Sequence, residues 1–127
     1  GNLYHANLRD AYLSNANLNR VNLSGADLSG ADLSGADLSD AVIVLANLIN
    51  VDLNKAFLIR ANLSNANLSG ANLSGADLSG AYLSGVNLSG ADMSGAKMTG
   101  ISTIIVNGCP SSLPNGWICK NNTLSKL

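Results

Sequence analysis

Apolar residues return every five positions from Gly1 to Gly100, with no insertion or deletion. The central position of each unit (3, 8, 13 and so on to 98) is Leu in seventeen of twenty units, Ile43 in one, and Met93 and Met98 in the last two. Two residues earlier stands a small residue, almost always Ala, with Val21, Val51, Val86 and Gly1 as substitutes. Asn or Asp usually lies between them, and Ser followed by Gly or a polar residue comes after. A period of five fits neither a helix nor a continuous strand. Within a unit, though, Ala26 and Leu28 are two apart, so in extended backbone both face one side and Asp27 the other. Ser-Gly supplies a turn, because glycine accepts the positive φ of a type II turn. Each unit therefore predicts a short extended piece and a corner.

Four such corners bring the chain back over itself. Coils of twenty residues then stack by backbone hydrogen bonds at roughly 4.8 Å, and five coils give a rod roughly 24 Å long. The expected class is all-β, a solenoid over residues 1–100 with a ladder of leucines inside, alanines filling the gaps and every central residue buried. A lone coil cannot bury its own leucines, so stability is a sum over neighbours. Type II corners are expected where Gly or Asn closes a unit. Arg20, Lys55 and Arg60 should differ, since long side chains disfavour positive φ.

Units such as ADLSG, ANLSG and VNLSG resemble the pentapeptide-repeat family of bacteria, cyanobacteria included, over residues 1–100. The resemblance implies a right-handed quadrilateral β-helix; the handedness comes from the resemblance alone. It also implies an alternative function. One branch of the family mimics B-DNA in shape and charge, binds DNA gyrase and confers quinolone resistance, usually as a dimer with a more acidic surface. Here Asp occupies only some of the outward slots, at 27, 32, 37, 52, 77 and 92, and the rest are largely neutral Asn.

Composition narrows the field. The chain has 127 residues, which fits one domain. Charged residues make up 12% and the net charge is −1, which argues against a direct nucleic-acid binder and against a strongly acidic mimic. No apolar run is long enough to span a membrane. No leader peptide is visible, and Gly1 sits in an alanine slot in phase with the repeat, which suits a processed or trimmed protein. His5 is the only histidine. No nucleophile, base and orienting residue can be named together, so no enzyme, cofactor or metal site is expected. Asn-X-Ser matches such as Asn22-Leu23-Ser24 fall out of the repeat and carry no weight for glycosylation without a secretory context.

The exceptions are informative when read as columns of residues twenty apart. Residues 41–60 read AVIVLANLINVDLNKAFLIR. Their inward slots are ordinary, but Val42, Val44, Leu45, Ile49, Phe57 and Ile59 replace outward Asn, Asp, Ser or Gly. Contiguous exposed apolar residues mark interaction sites, so this belt is the candidate interface; the alternative is drift in a repeat whose neighbours shade these side chains. The first coil carries Tyr4, His5, Arg9, Asp10, Tyr12 and Arg20, which either blunt an open sheet edge or leave it to pair with a second copy. A monomer or a weak homodimer is expected, with an unknown protein as partner. Arg20, Asp40 and Arg60 form a column of alternating charge that supports register. Asp32 above Asp52 offers too few oxygens for calcium.

Residues 101–127 abandon the repeat and are expected to cap the last leucine layer, as terminal segments of solenoids do. Ile104, Ile105, Leu113, Trp117 and Ile118 supply apolar mass, with Trp117 expected over the end of the ladder near Met98. Leu113-Pro114-Asn115-Gly116-Trp117 resembles segments that follow cyanobacterial pentapeptide repeats. Cys109 and Cys119, ten apart around a Pro/Gly-rich loop, suit one disulfide; a metal site lacks flanking ligands. A bond there implies an oxidising compartment (periplasm, thylakoid lumen or outside the cell), and free thiols a cytoplasmic one.

Overall fold

The computed structural model describes residues 1–127. The repeat forms corners at every unit. At each, the N–H opening one unit donates to the central C=O of the unit before, as from Ala26 to Leu23 at 3.0 Å. The residue that closes the unit has positive φ throughout, as a type II turn requires of its third residue. The expectation of a different corner at long side chains is corrected: φ is 63° at Arg20, 58° at Lys55 and 57° at Arg60. Stacking explains this. The N–H of Arg60 donates to Ser79 C=O at 2.9 Å, and Gly30 makes the equivalent bond to Ile49 at 2.9 Å. The corner is held from the adjoining level whatever its side chain.

Pairing joins residues twenty apart. Asn2 bridges to Asn22, Asn22 to Val42, Val42 to Asn62 and Asn62 to Tyr82, all parallel, and matching columns start at Asn7, Tyr12 and Asn17. The bridging residue turns both backbone groups toward the preceding level. Asn22 N–H donates to Gly1 C=O at 3.1 Å, and its own C=O accepts from Leu3 N–H at 2.8 Å. Twenty residues at one level, with four corners, form a square layer.

The Asn or Asp at the bridging slot has a local task. Its Oδ1 accepts the N–H two residues on, as Asn67 does from Ser69 at 3.0 Å and Asp32 from Ser34 at 3.0 Å. Many of the serines add a second bond from Oγ, at 2.7 Å in both these units. This Asx turn fastens the corner that follows it.

Inside, one apolar cluster runs from Val21 to Met98 and continues into Val106 and Leu124. Leu3, Leu8, Leu13 and Leu18 are only partly buried, contrary to expectation, because they have a layer on one side alone. Residues 86–95 are overlaid by the chain beyond the repeat. Asn107 N–H donates to Val86 C=O at 2.7 Å, and Met93 N–H donates to Ser112 C=O at 3.0 Å. Three short strands follow: β1 (Ile104–Ile105), β2 (Trp117–Lys120) and β3 (Thr123–Lys126), antiparallel in the order β1-β3-β2. Leu124 on the middle strand faces Ile104 and Cys119 and is fully buried. Strand alternation puts the neighbouring Ile105 and Ile118 outside, 74% and 39% exposed. Trp117 packs only partly against the core, beside Ala96 and Met98 at the rim of a groove of about 280 Å³. Val106 and Leu124, not Trp117, extend the ladder. No helix is long and apolar enough to cross a membrane.

Candidate functional site

The slot chemistry singles out a few positions. Every bridging Asn or Asp makes the Asx bond, so each substitution there gives up a corner-fastening hydrogen bond. The substitutes are Tyr12, Val42, Phe57, Tyr82 and Lys97. Four of these are apolar or aromatic and exposed: Tyr12 at 92%, Val42 at 39%, Phe57 at 47% and Tyr82 at 61%. Surface polarity has been exchanged for exposed carbon at a local cost.

Layer 41–60 concentrates this exchange. Val42, Leu45 and Phe57 are exposed, and Val44, Ile49 and Ile59 half-buried. Val42, Val44 and Leu45 lie on one side of the square, Phe57 and Ile59 on the adjacent side, and Ile49 on the opposite neighbour of the first. Val42 stands between Asn22 and Asn62, and Phe57 between Asp37 and Asp77, so polar layers border the belt above and below. A groove of about 370 Å³ lined by Arg9, Asp10, Asn47 and Asn50 adjoins Ile49.

Leu45 stands out further. It is 68% exposed and holds φ of 60°, a conformation that costs a non-glycine residue about 1–2 kcal/mol. Its corner is also the loosest. Ala46 N–H reaches Ile43 C=O at 3.4 Å, against 3.0 Å at the consensus corner from Ala31 to Leu28. Arg20, Lys55 and Arg60 hold the same conformation, so what sets Leu45 apart is its exposed apolar side chain and its long corner bond.

The charged columns behave more quietly. Arg60 donates to Asp40 through Nε at 2.9 Å and a second guanidinium nitrogen at 3.1 Å, next to Ile59 on the belt. Arg20 makes no bond to Asp40 and acts on it only through charge, so the column is half paired. The guanidinium of Arg60 holds the Asp40 carboxyl below the ordinary carboxylate value. In the column of Asp32 and Asp52, Oδ1 of each is engaged by its own corner. No group of three or more His, Cys, Asp or Glu side chains converges anywhere. Cys109 and Cys119 are bonded, their Cα atoms 5.8 Å apart.

Sequence reasoning missed Tyr82 as an exposed aromatic and Val106 and Leu124 as core. The first was visible as a broken bridging slot. Leu124 follows only from the pairing of β3, and Val106 from its bond to Asn122 just before that strand.

The pattern matches the family model of pentapeptide repeats, eight copies, over residues 2–42, 44–80 and 61–100. No curated protein matches the sequence. A pentapeptide repeat protein from the Arabidopsis thaliana thylakoid lumen is 30% identical, with a TM-score of 0.75, covering 78% of this chain and 69% of its own. HetL, a pentapeptide repeat protein involved in heterocyst differentiation regulation in the cyanobacterium Nostoc sp., is 35% identical with a TM-score of 0.66, over 78% of this chain and 56% of its own. QnrB1, a plasmid-mediated fluoroquinolone resistance protein, is 21% identical with a TM-score of 0.50, over 80% of this chain and 59% of its own, and shares the fold alone. The chain thus spans little more than half of the latter two. With its corners, its stacked columns and its leucine ladder, it belongs to the pentapeptide-repeat family, a right-handed quadrilateral β-helix.

Proposed function

We propose that this protein is a non-catalytic interaction module: a rigid rod of five coils, closed by residues 101–127, that presents layer 41–60 to a protein partner. The observation that carries this is Leu45, apolar, exposed and seated in the loosest corner of a belt with exposed Val42 and Phe57. Family proteins are generally non-catalytic repeat structures, which supports the same reading. Gyrase inhibition is the weaker alternative. The QnrB1 likeness speaks to fold only, and a net charge of −1 gives little of the field a DNA mimic needs. A supercoiling assay with purified protein tests that alternative directly.

The test of the belt pairs the wild type with a Leu45→Ser, Phe57→Ser variant in affinity capture from the source organism. Both substitutions are at exposed positions, so thermal melts should agree within a few degrees. A protein captured by the wild type and lost from the variant is expected. Identical captures would remove the belt as the interface. The Cys109–Cys119 bond and the lumenal relative together support an extracytoplasmic location. Thiol titration of freshly isolated, denatured protein checks it, with no free thiol expected. The protein is taken as a monomer or weak homodimer, to be checked by sedimentation.

A further inference from the structure

A second candidate contact point, independent of the belt, lies at the last layer of the rod. On side 81–85 of the last layer the parallel ladder stops short, as it also does at 96–100 beside Trp117. In the layers before it, the residue opening the unit offers its C=O, and the central residue its N–H, to the next level. Thus Ala61 C=O accepts from Tyr82 N–H at 2.9 Å, and Leu63 N–H donates to Tyr82 C=O at 2.8 Å. Their counterparts, Ala81 C=O and Leu83 N–H, have no hydrogen-bond partner in the molecule. The residue due to meet them is Ser102, twenty beyond Tyr82. It is displaced because Gly85 N–H bonds to Ile105 C=O at 3.0 Å, whereas Gly25 bonds to Val44, one residue earlier in register. One extra residue thus lies between Gly100 and that bond. Ile104 and Ile105 are in turn held by β3 through Leu124 and Thr123. Residues 101–104 bow away, opening a groove of about 730 Å³ between 80–85 and 100–105.

We propose that this groove takes an extended peptide segment of a partner protein by strand addition. The unpaired groups dictate the occupant. One residue must donate its N–H to Ala81 C=O and accept from Leu83 N–H, running parallel, as every bridge along the rod does. Its two neighbours point inward, over Ala81 and Leu83 and against Ile101 and Ile104. The fitting segment therefore reads small apolar, any residue, large apolar, with the middle side chain beside the exposed ring of Tyr82. A whole second rod does not fit, because residues 107–112 already lie on sides 86–95 of the layer. An open sheet edge of this kind is a ready template for another chain.

The test uses the ¹⁵N-labelled full chain and the blocked heptapeptide Ser-Gly-Ala-Asn-Leu-Ser-Gly, with an analogue N-methylated at its Asn. Expected are amide shifts centred on Leu83, Tyr82 and Ser102, and binding at least tenfold weaker for the analogue, which cannot donate to Ala81. Tyr82→Ser, an exposed change, is expected to weaken binding several-fold. Four outcomes overturn the proposal: no shift at millimolar peptide; equal binding by the N-methyl analogue; a Leu83 amide already protected from exchange in free protein, which means residues 101–104 close the groove; and concentration-dependent Leu83 shifts without peptide, which mean a second copy fills it.

Discussion

A bridging Asn or Asp does with one oxygen what a turn otherwise leaves to water, taking up the N–H two residues on. That explains why both residue types serve and why the charge on Asp is incidental to the fold. It still has a consequence for acid stability. The Ser34 hydroxyl and N–H hold the Asp32 carboxyl below its ordinary value, and Ser29 and Ser94 do the same for Asp27 and Asp92. The folded state thus binds fewer protons than the unfolded one. This stabilisation is complete above the unfolded carboxylate value, about 3.9, and is lost as pH falls through the lower folded values. Melting temperature should stay level from neutral pH to about 5 and fall below about 4. Asp32→Asn keeps the acceptor oxygen and should soften the fall, as calorimetry across pH would show. Leu45 gives the second test at this scale. Glycine relieves an αL penalty of about 1–2 kcal/mol and loses about 0.5–1 kcal/mol to unfolded-chain entropy. Leu45→Gly should therefore stabilise by up to about 1.5 kcal/mol, seen as a higher urea midpoint, while weakening partner capture. A lower midpoint would mean that the corner is not strained.

At the scale of the layer, each leucine rests on the levels either side of it. Leu48 is buried between layers 21–40 and 61–80, so Leu48→Ala should leave a cavity and cost about 2–5 kcal/mol. Leu8, partly exposed with one neighbouring layer, should cost clearly less for the same change. Denaturant melts of both variants decide it; equal losses would mean that the first layer is covered in solution. The five-residue period made this ladder legible before any coordinates, because inward Ala and Leu two apart can sit only in extended backbone. Corners were legible where glycine closed the unit and misread at Arg20, Lys55 and Arg60. Local preference was taken to rule there, yet bonds to the adjoining layer override it. The apolar belt was legible as six broken slots. The half-burial of Val44, Ile49 and Ile59 was not, since shading depends on the layers above and below.

Across the whole molecule, cooperativity runs along the rod from layer to layer, and it ends in a segment built on other rules. Strand pairing decides which side chains of residues 101–127 face the core: Val106 and Leu124 are buried, Ile104, Leu113 and Trp117 pack partly against them, and Ile105 and Ile118 face out. This segment is tied down twice. Residues 107–112 bond to layer 81–100, and Cys109, at the head of the loop, is joined to Cys119 on β2. Cys119 on β2 pairs with Leu124 on β3, so the bond ties the strand beside the buried leucine to the stretch that lies on the rod. Closing a loop of this length is worth roughly 2–3 kcal/mol if the bond acts mainly on the unfolded chain. That stabilisation belongs to the segment and not to the layers, because repeat structures unfold in parts. Reduction, or the Cys109→Ser, Cys119→Ser variant, should therefore speed amide exchange at Val106 and Leu124 by roughly thirty- to a hundred-and-fiftyfold, in line with that free energy. Amides of layer 41–60 should exchange as before. Uniform acceleration along the whole rod would instead make the segment the keystone of the fold, with every layer depending on its closure.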